Sequence, residues 1–224
     1  MRAGLPISHI VFDCDGVLVD SEPISMRIDV EILAENGIVM SEAEAHRRFV
    51  GKTFAAMIAM CEHDFGVRFP ADCSAEKDRR ILEAFTRELR PVQGVAAALA
   101  ALRGPFSVAS NSPRQRVAES LRITGLTPFF GARIVTFEDV ARAKPAPDIF
   151  IEAARRAGHE SASCLIVEDS VTGVTAAHLA GSPVLGFTGT HDEPQVHGAR
   201  LLAAGAAHVF ARMEELPALA DRFR

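Results

Sequence analysis

The sequence predicts an α/β fold, a parallel sheet buried on both faces, interrupted by a helical insertion. Three observations carry that expectation. Short apolar runs at Ile10–Phe12, Phe106–Ala109, Cys164–Val167 and Val184–Phe187 each stop at polar or small residues. Longer amphipathic or alanine-rich segments lie between them, among them VAAALAALRG, QRVAESLRITG, DIFIEAARRAG and VTGVTAAHLAG. Between residues 21 and 89 the strand pattern disappears and helical patterns follow one another.

Taken in order, the run ending at Phe12 reads as the first strand, because a short continuous apolar segment bounded by a turn suits a strand covered on both sides. The runs near 106, 164 and 184 repeat that pattern, and the intervening helical segments make them βα units of a parallel sheet. Gly104, Gly125, Gly158 and Gly181 stand where helix C-caps are expected. ARIVTF supplies a weaker strand near residue 134, and AAHVF an edge strand near residue 208. The insertion contains ISMRIDVEILAENG, EAEAHRRFVG, FAAMIAMCEHDFG and AEKDRRILEAFTREL. Pro23 opens it and Arg90-Pro91 closes it, since proline favours a first helical turn and drives its predecessor out of the α region. The expected organisation is a core of residues 1–20 and 90–224 and a helical domain of residues 21–89, about seventy residues and small-domain sized.

The bulk properties narrow the function. A chain of 224 residues with 48% hydrophobic and 24% charged residues can bury a sizeable core, and a net charge of −5 offers nothing to a polyanion such as nucleic acid. The four cysteines, Cys14, Cys61, Cys73 and Cys164, form no CxxC pair, which suits reduced thiols in a cytoplasmic protein. No segment approaches the roughly 18 apolar residues of a membrane span.

Ligands of an open α/β sheet bind beyond the carboxyl ends of its strands, so the residues that follow each strand are the candidates. Asp13, Cys14, Asp15 and Gly16 follow the first; Ser110 and Asn111 the second; Glu168, Asp169 and Ser170 the strand at 164; Lys144-Pro145 lies ahead of it. Carboxylates gathered at one edge raise one another's pKa unless a cation holds them, and oxygen-only ligation points to Mg²⁺. Gly16 predicts a turn that brings backbone N–H groups towards an anion. Cys14, between the two aspartates, reads as a core filler. GTHDEPQVHG, with His191 and His197, reads as a polar loop and not as a second metal site.

DCDGVLVDSE, the SN pair at 110–111, KPAPDIF and VEDSVTG resemble, in order and spacing, the four motifs of the haloacid dehalogenase superfamily. Nearly the whole chain is similar to its helical-cap phosphatase branch, which includes β-phosphoglucomutase and phosphoglycolate phosphatase. The resemblance implies a three-layer Rossmann-like core and a cap inserted after the first strand. It implies Asp13 as nucleophile forming an aspartyl-phosphate, and Asp15 as the acid, then base, of the two half-reactions. Asp13 must then stay ionised while Asp15 holds a proton at the right moment. It implies that Ser110 and the Asn111 amide hold the phosphoryl oxygens and that Lys144 offsets charge and positions the nucleophile. Mg²⁺ would be held by Asp169, Glu168, Asp13 and the backbone carbonyl of Asp15. The second aspartate excludes the dehalogenase activity itself, whose enzymes lack it.

The cap departs from the mutase pattern. Ser25 stands where β-phosphoglucomutases carry a histidine, and Gly51-Lys52-Thr53-Phe54 where they carry an arginine. The expectation is a Mg²⁺-dependent phosphatase of small phosphorylated metabolites, sugar or sugar-acid monophosphates such as 6-phosphogluconate, with Gly16, Asn111 and Lys52 on the substrate side. A sugar-phosphate mutase is the alternative enzyme, and a non-catalytic, receiver-like phosphate-binding module the alternative of another class.

Overall fold

The computed structural model describes residues 6–49 and 52–223. The chain divides into two compact units, Met1–Asp20 with Arg90–Arg224, and Ser21–Leu89.

The first unit is built on β1 (His9–Phe12), followed after the insertion by α5 (Val95–Ala101), β2 (Phe106–Ser110), α6 (Arg114–Ile123), α7 (Thr127–Phe130) and β3 (Ile134–Thr136). It continues with α8 (Asp148–Ala157), β4 (Cys164–Glu168), α9 (Val171–Leu179), β5 (Val184–Phe187), α10 (Pro194–Ala204), β6 (His208–Phe210) and α11 (Leu216–Asp221). The second unit holds α1 (Glu22–Glu35), α2 (Glu42–Phe49), α3 (Phe54–Phe65) and α4 (Cys73–Glu88). Among the described residues no helix is long and apolar enough to cross a membrane.

All six strands pair in parallel, in the order β3-β2-β1-β4-β5-β6. Chain progression reverses between β1 and β4, so the crevice at their carboxyl ends is where such a sheet opens to a ligand. The strands are apolar on both sides because both sides are covered. Val11, Ala109, Ile166 and Val184 pack with Ile149 and Phe150 of α8, Val174 of α9 and Leu201 of α10. On alternate positions Phe12 meets Phe106 and Phe130 edge-on, ring centroids 5.8 Å apart.

In the helical unit Leu33, Ile38, Ala45, Phe49, Met57 and Cys61 form a core of their own. Thr53 caps α3 by accepting the Ala56 amide at 3.2 Å. Ion pairs tie α1 to α4: Arg27–Glu88 at 2.8 Å and the nearly buried Lys77–Asp29 at 2.5 Å.

His9 opens β1 inside the core, with Nε2 2.9 Å from Ser107 Oγ, Nδ1 buried without a partner among the described residues, and the ring stacked on His159. Burial, then the charges of His159 and Arg133, pull its pKa down to about 4. The folded protein therefore binds fewer protons here than the unfolded chain, and stability is lost as pH falls from the ordinary histidine value towards 4. That loss is at most about 3 kcal/mol. Urea titrations between pH about 7 and about 4 should show the acid loss shrinking in His9→Asn, and an unchanged slope would contradict it.

Candidate active site

Each strand of the central trio ends in a side chain that turns into the crevice. Asp13 follows β1, its amide donating to the Val167 carbonyl at 2.9 Å, which sets it level with the end of β4. Glu168 ends β4 and Asp169 follows it. Oxygens of Asp13, Glu168 and Asp169 lie within 4.8 Å of one another, and all three residues are buried.

One buried ammonium stands among them. Lys144 Nζ donates to Asp13 Oδ1 at 2.6 Å, to Glu168 Oε1 at 2.7 Å and to the Ala109 carbonyl at 2.8 Å, which engages all three of its protons. Burial works against that charge, but Asp13 and Glu168 outweigh it and hold the Lys144 pKa above the ordinary lysine value. Burial likewise pushes the Asp13 carboxyl well above the usual carboxylate range; Lys144 opposes the shift, and Glu168, Asp169 and Asp15 add to it. One ammonium faces three buried carboxyl groups, so acidic groups are in excess. The missing positive charge, the all-oxygen donor set and its spacing fit a hard divalent cation.

Glu168 is held through both carboxylate oxygens. Its Oε1 accepts from Lys144, and its Oε2 accepts from the Ser170 amide at 2.8 Å and the Ser170 hydroxyl at 3.0 Å. The first turn of α9 passes so close that a Cβ on Gly173 would lie 1.7 Å from Oε1, so glycine alone fits there. Ser170 also caps the helix, accepting from the Gly173 amide at 2.9 Å.

The loop after β2 fixes the lysine from the other side. Asn111 Nδ2 donates to the Lys144 carbonyl at 3.2 Å, and its Oδ1 accepts the Lys144 amide at 3.0 Å. Ser110 is buried at the end of β2, where its hydroxyl accepts the Ser112 amide at 3.0 Å. Ser112 in turn donates to Asp15 Oδ2 at 2.6 Å and accepts from Arg116. The Asp15 carboxylate therefore points to the β2 loop, apart from the acidic cluster of Asp13, Glu168 and Asp169.

Gly16 makes the expected turn, with φ +80, and its own amide donates to the Val19 carbonyl at 2.9 Å. Glycine is needed for a second reason: a Cβ at 16 would lie 2.1 Å from Asp169 Oδ2, so a side chain there would displace the carboxylate. Cys14 is buried with its thiol pKa pushed well up by burial, as expected of a core filler. Lys52 stands exposed in the helical unit just ahead of α3, its amide donating to the Phe49 carbonyl at 2.9 Å; Gly51 beside it lies outside the described residues.

Three features were not foreseen. The Asn111 side chain clamps the Lys144 backbone, Arg116 stands behind Ser112, and the segment read as a polar loop brings His191 and His197 onto Asp169. His191 Nε2 lies 3.3 Å from Asp169 Oδ2, and His197 Nε2 bonds the Asp169 carbonyl. The signal for the last was present: Pro194 stands where proline favours a first helical turn, and α10 begins there.

Known proteins resemble this chain in sequence and in fold. Residues 7–181 match the model of the haloacid dehalogenase-like hydrolases. The 6-phosphogluconate phosphatase of Escherichia coli K12 is 32% identical over 194 residues, 85% of this chain and 87% of that one. A haloacid dehalogenase-like protein of Agrobacterium tumefaciens C58 superposes with a TM-score of 0.86 at 35% identity, covering 96% of this chain and 98% of the other. A HAD family hydrolase of Deinococcus radiodurans R1, solved with bound phosphate and sodium, gives 0.78 at 33% identity, covering 97% and 96%. The chain whose strand tips gather these carboxylates around one lysine belongs to the haloacid dehalogenase-like hydrolases.

Proposed function

We propose that this phosphatase hydrolyses small phosphorylated metabolites, sugar or sugar-acid monophosphates, in a Mg²⁺-dependent reaction through an aspartyl-phosphate on Asp13. The observation that carries this reading is the placement of Asp13, buried, bonded to Lys144, and within 4.8 Å of Glu168 and Asp169. Asp13, Asp169 and the Asp15 carbonyl would hold the cation, with Glu168 adding its charge while fixing Lys144. Bound there, Mg²⁺ supplies charge neutralisation that admits a phosphate dianion to an acidic crevice.

In the first half-reaction an Asp13 carboxylate oxygen attacks phosphorus as the ester P–O bond breaks, and Asp15 gives its proton to the departing alkoxide. In the second, Asp15 takes a proton from water, whose oxygen attacks the same phosphorus, releasing inorganic phosphate and restoring Asp13. The 2.6 Å bond from Ser112 aims the Asp15 carboxyl. Ser110 and the Asn111 amide take the phosphoryl oxygens, and Lys144, its three protons directed by fixed acceptors, holds the nucleophile in place. Most of the catalysis is thus positioning and charge stabilisation.

We assign substrate selection to residues 21–89, with Lys52 for a second anionic group such as a sugar-acid carboxylate. The resemblance to the 6-phosphogluconate phosphatase supports that substrate class. Free, buried cysteines are in keeping with a cytoplasmic setting. A panel of phosphorylated metabolites assayed for free phosphate tests the reading. Release from sugar or sugar-acid monophosphates should require Mg²⁺, vanish with EDTA and return on adding the metal. Full activity after exhaustive chelation, or transfer without phosphate release, would overturn it.

A further inference from the structure

The residues assigned to chemistry leave one group of inward-facing side chains unused. They belong to the loop between β5 and α10 and to the first turn of that helix. Thr190 Oγ1 donates to the Gly16 carbonyl at 2.9 Å. His191 Nε2 lies 3.3 Å from Asp169 Oδ2, and His197 Nε2 bonds the Asp169 carbonyl oxygen. Carbonyl and carboxylate oxygens only accept, so both Nε2 atoms carry a proton. The two rings stack, with centroids 3.6 Å apart and planes 19° from parallel. One loop therefore holds two others: the turn after β1 through Gly16, and both the backbone and the side chain of Asp169.

A carboxylate that must be ordered at the moment of ligation loses affinity by the cost of ordering it. A hydrogen bond to one carboxylate oxygen restrains the side chain, and another to the same residue's carbonyl restrains its backbone. The stacked rings also prevent either histidine from turning away alone. Hydrogen bonds behind a ligating carboxylate are the usual means by which a protein tunes a cation site.

We propose that His191 and His197 are positioning residues that hold Asp169 in its ligating orientation, so that divalent-cation affinity is set in part by a histidine pair that does not itself ligate. The inference rests on the Mg²⁺ reading above. Its test is Mg²⁺ binding by titration calorimetry and by Mg²⁺-dependent thermal stabilisation, both without substrate.

His191→Ala and His197→Ala should bind Mg²⁺ about 10- to 100-fold more weakly than the unsubstituted chain. His197→Gln, which places an N–H at similar reach, should recover most of that loss. His63→Ala, on an exposed ring of the helical unit, should bind as the unsubstituted chain does; an equal loss there would mark the effect as general and overturn the proposal. If metal-free melting shows that His197→Ala is not folded, His191→Ala and His197→Gln carry the test. Affinity within about twofold of normal for His191→Ala and the folded His197 variants would reduce the pair to packing and overturn the clamp. Absence of Mg²⁺ binding by the unsubstituted protein would overturn the metal reading first, and the clamp with it.

Discussion

Asp13→Asn is expected to lower phosphate release by about 10⁴-fold or more, the scale on which removal of a covalent nucleophile acts. The carboxamide has nearly the shape of the carboxylate and still offers an oxygen to Lys144, so the 2.6 Å contact can persist while the attacking charge is lost. A fall of that size with an intact fold would locate the defect in the chemistry. Stability supplies the control. In metal-free protein, burial and the neighbouring carboxylates already push Asp13 away from ionisation, so a neutral residue there relieves repulsion. The midpoint of thermal unfolding in EDTA should therefore hold or rise in Asp13→Asn, while the stabilisation given by Mg²⁺ should shrink. Turnover within about tenfold of the unsubstituted enzyme would remove Asp13 from the nucleophile's role.

The residues that make this prediction possible were legible because they obey short-range rules. Apolar runs ending at Phe12, Ala109 and Val167 announce strands, and a sheet with both faces buried exposes its chemistry at the strand tips. Order along the chain therefore became proximity in space for Asp13, Glu168 and Asp169. The edge strands at 134 and 208 followed from the same pattern despite being three residues long. What escaped is what depends on separation. Asn111 and Lys144 are 33 residues apart, and nothing in either segment shows that an amide side chain will bracket a lysine's own peptide groups. Gly16 was read correctly as a turn, but local sequence cannot say that its amide will find Val19 or that Asp169 will occupy the space a Cβ would need. His191 and His197 were hidden by their company. Gly, Thr, Asp, Glu and Pro make a turn-forming composition, and the helix beginning at Pro194 converts that turn into a support for the site.

Lys144→Met should silence turnover and destabilise the chelated protein by about 3–5 kcal/mol, the range for breaking a buried ion pair from one side. Methionine keeps most of the stem's volume and its position against Phe150, which Lys144 Nζ approaches to 4.9 Å, so packing contributes little of the loss. The loss comes from what remains: Asp13 faces Glu168 without the shared ammonium, and among the described residues Glu168 retains the Ser170 donors. The Lys144 pKa is raised in the folded state, so its contribution is fully present below the ordinary lysine pKa and disappears only as pH climbs through the higher folded value. Urea unfolding near neutral pH therefore measures all of it. Added Mg²⁺ should return part of the stability to Lys144→Met, because a divalent ion neutralises the same carboxylates, but not the turnover, because the ion leaves Asp13 without the donor that fixes Oδ1. A loss below about 1 kcal/mol in EDTA would mean that the three carboxylates do not carry their charge into the crevice, and the electrostatic case for a cation there would fail.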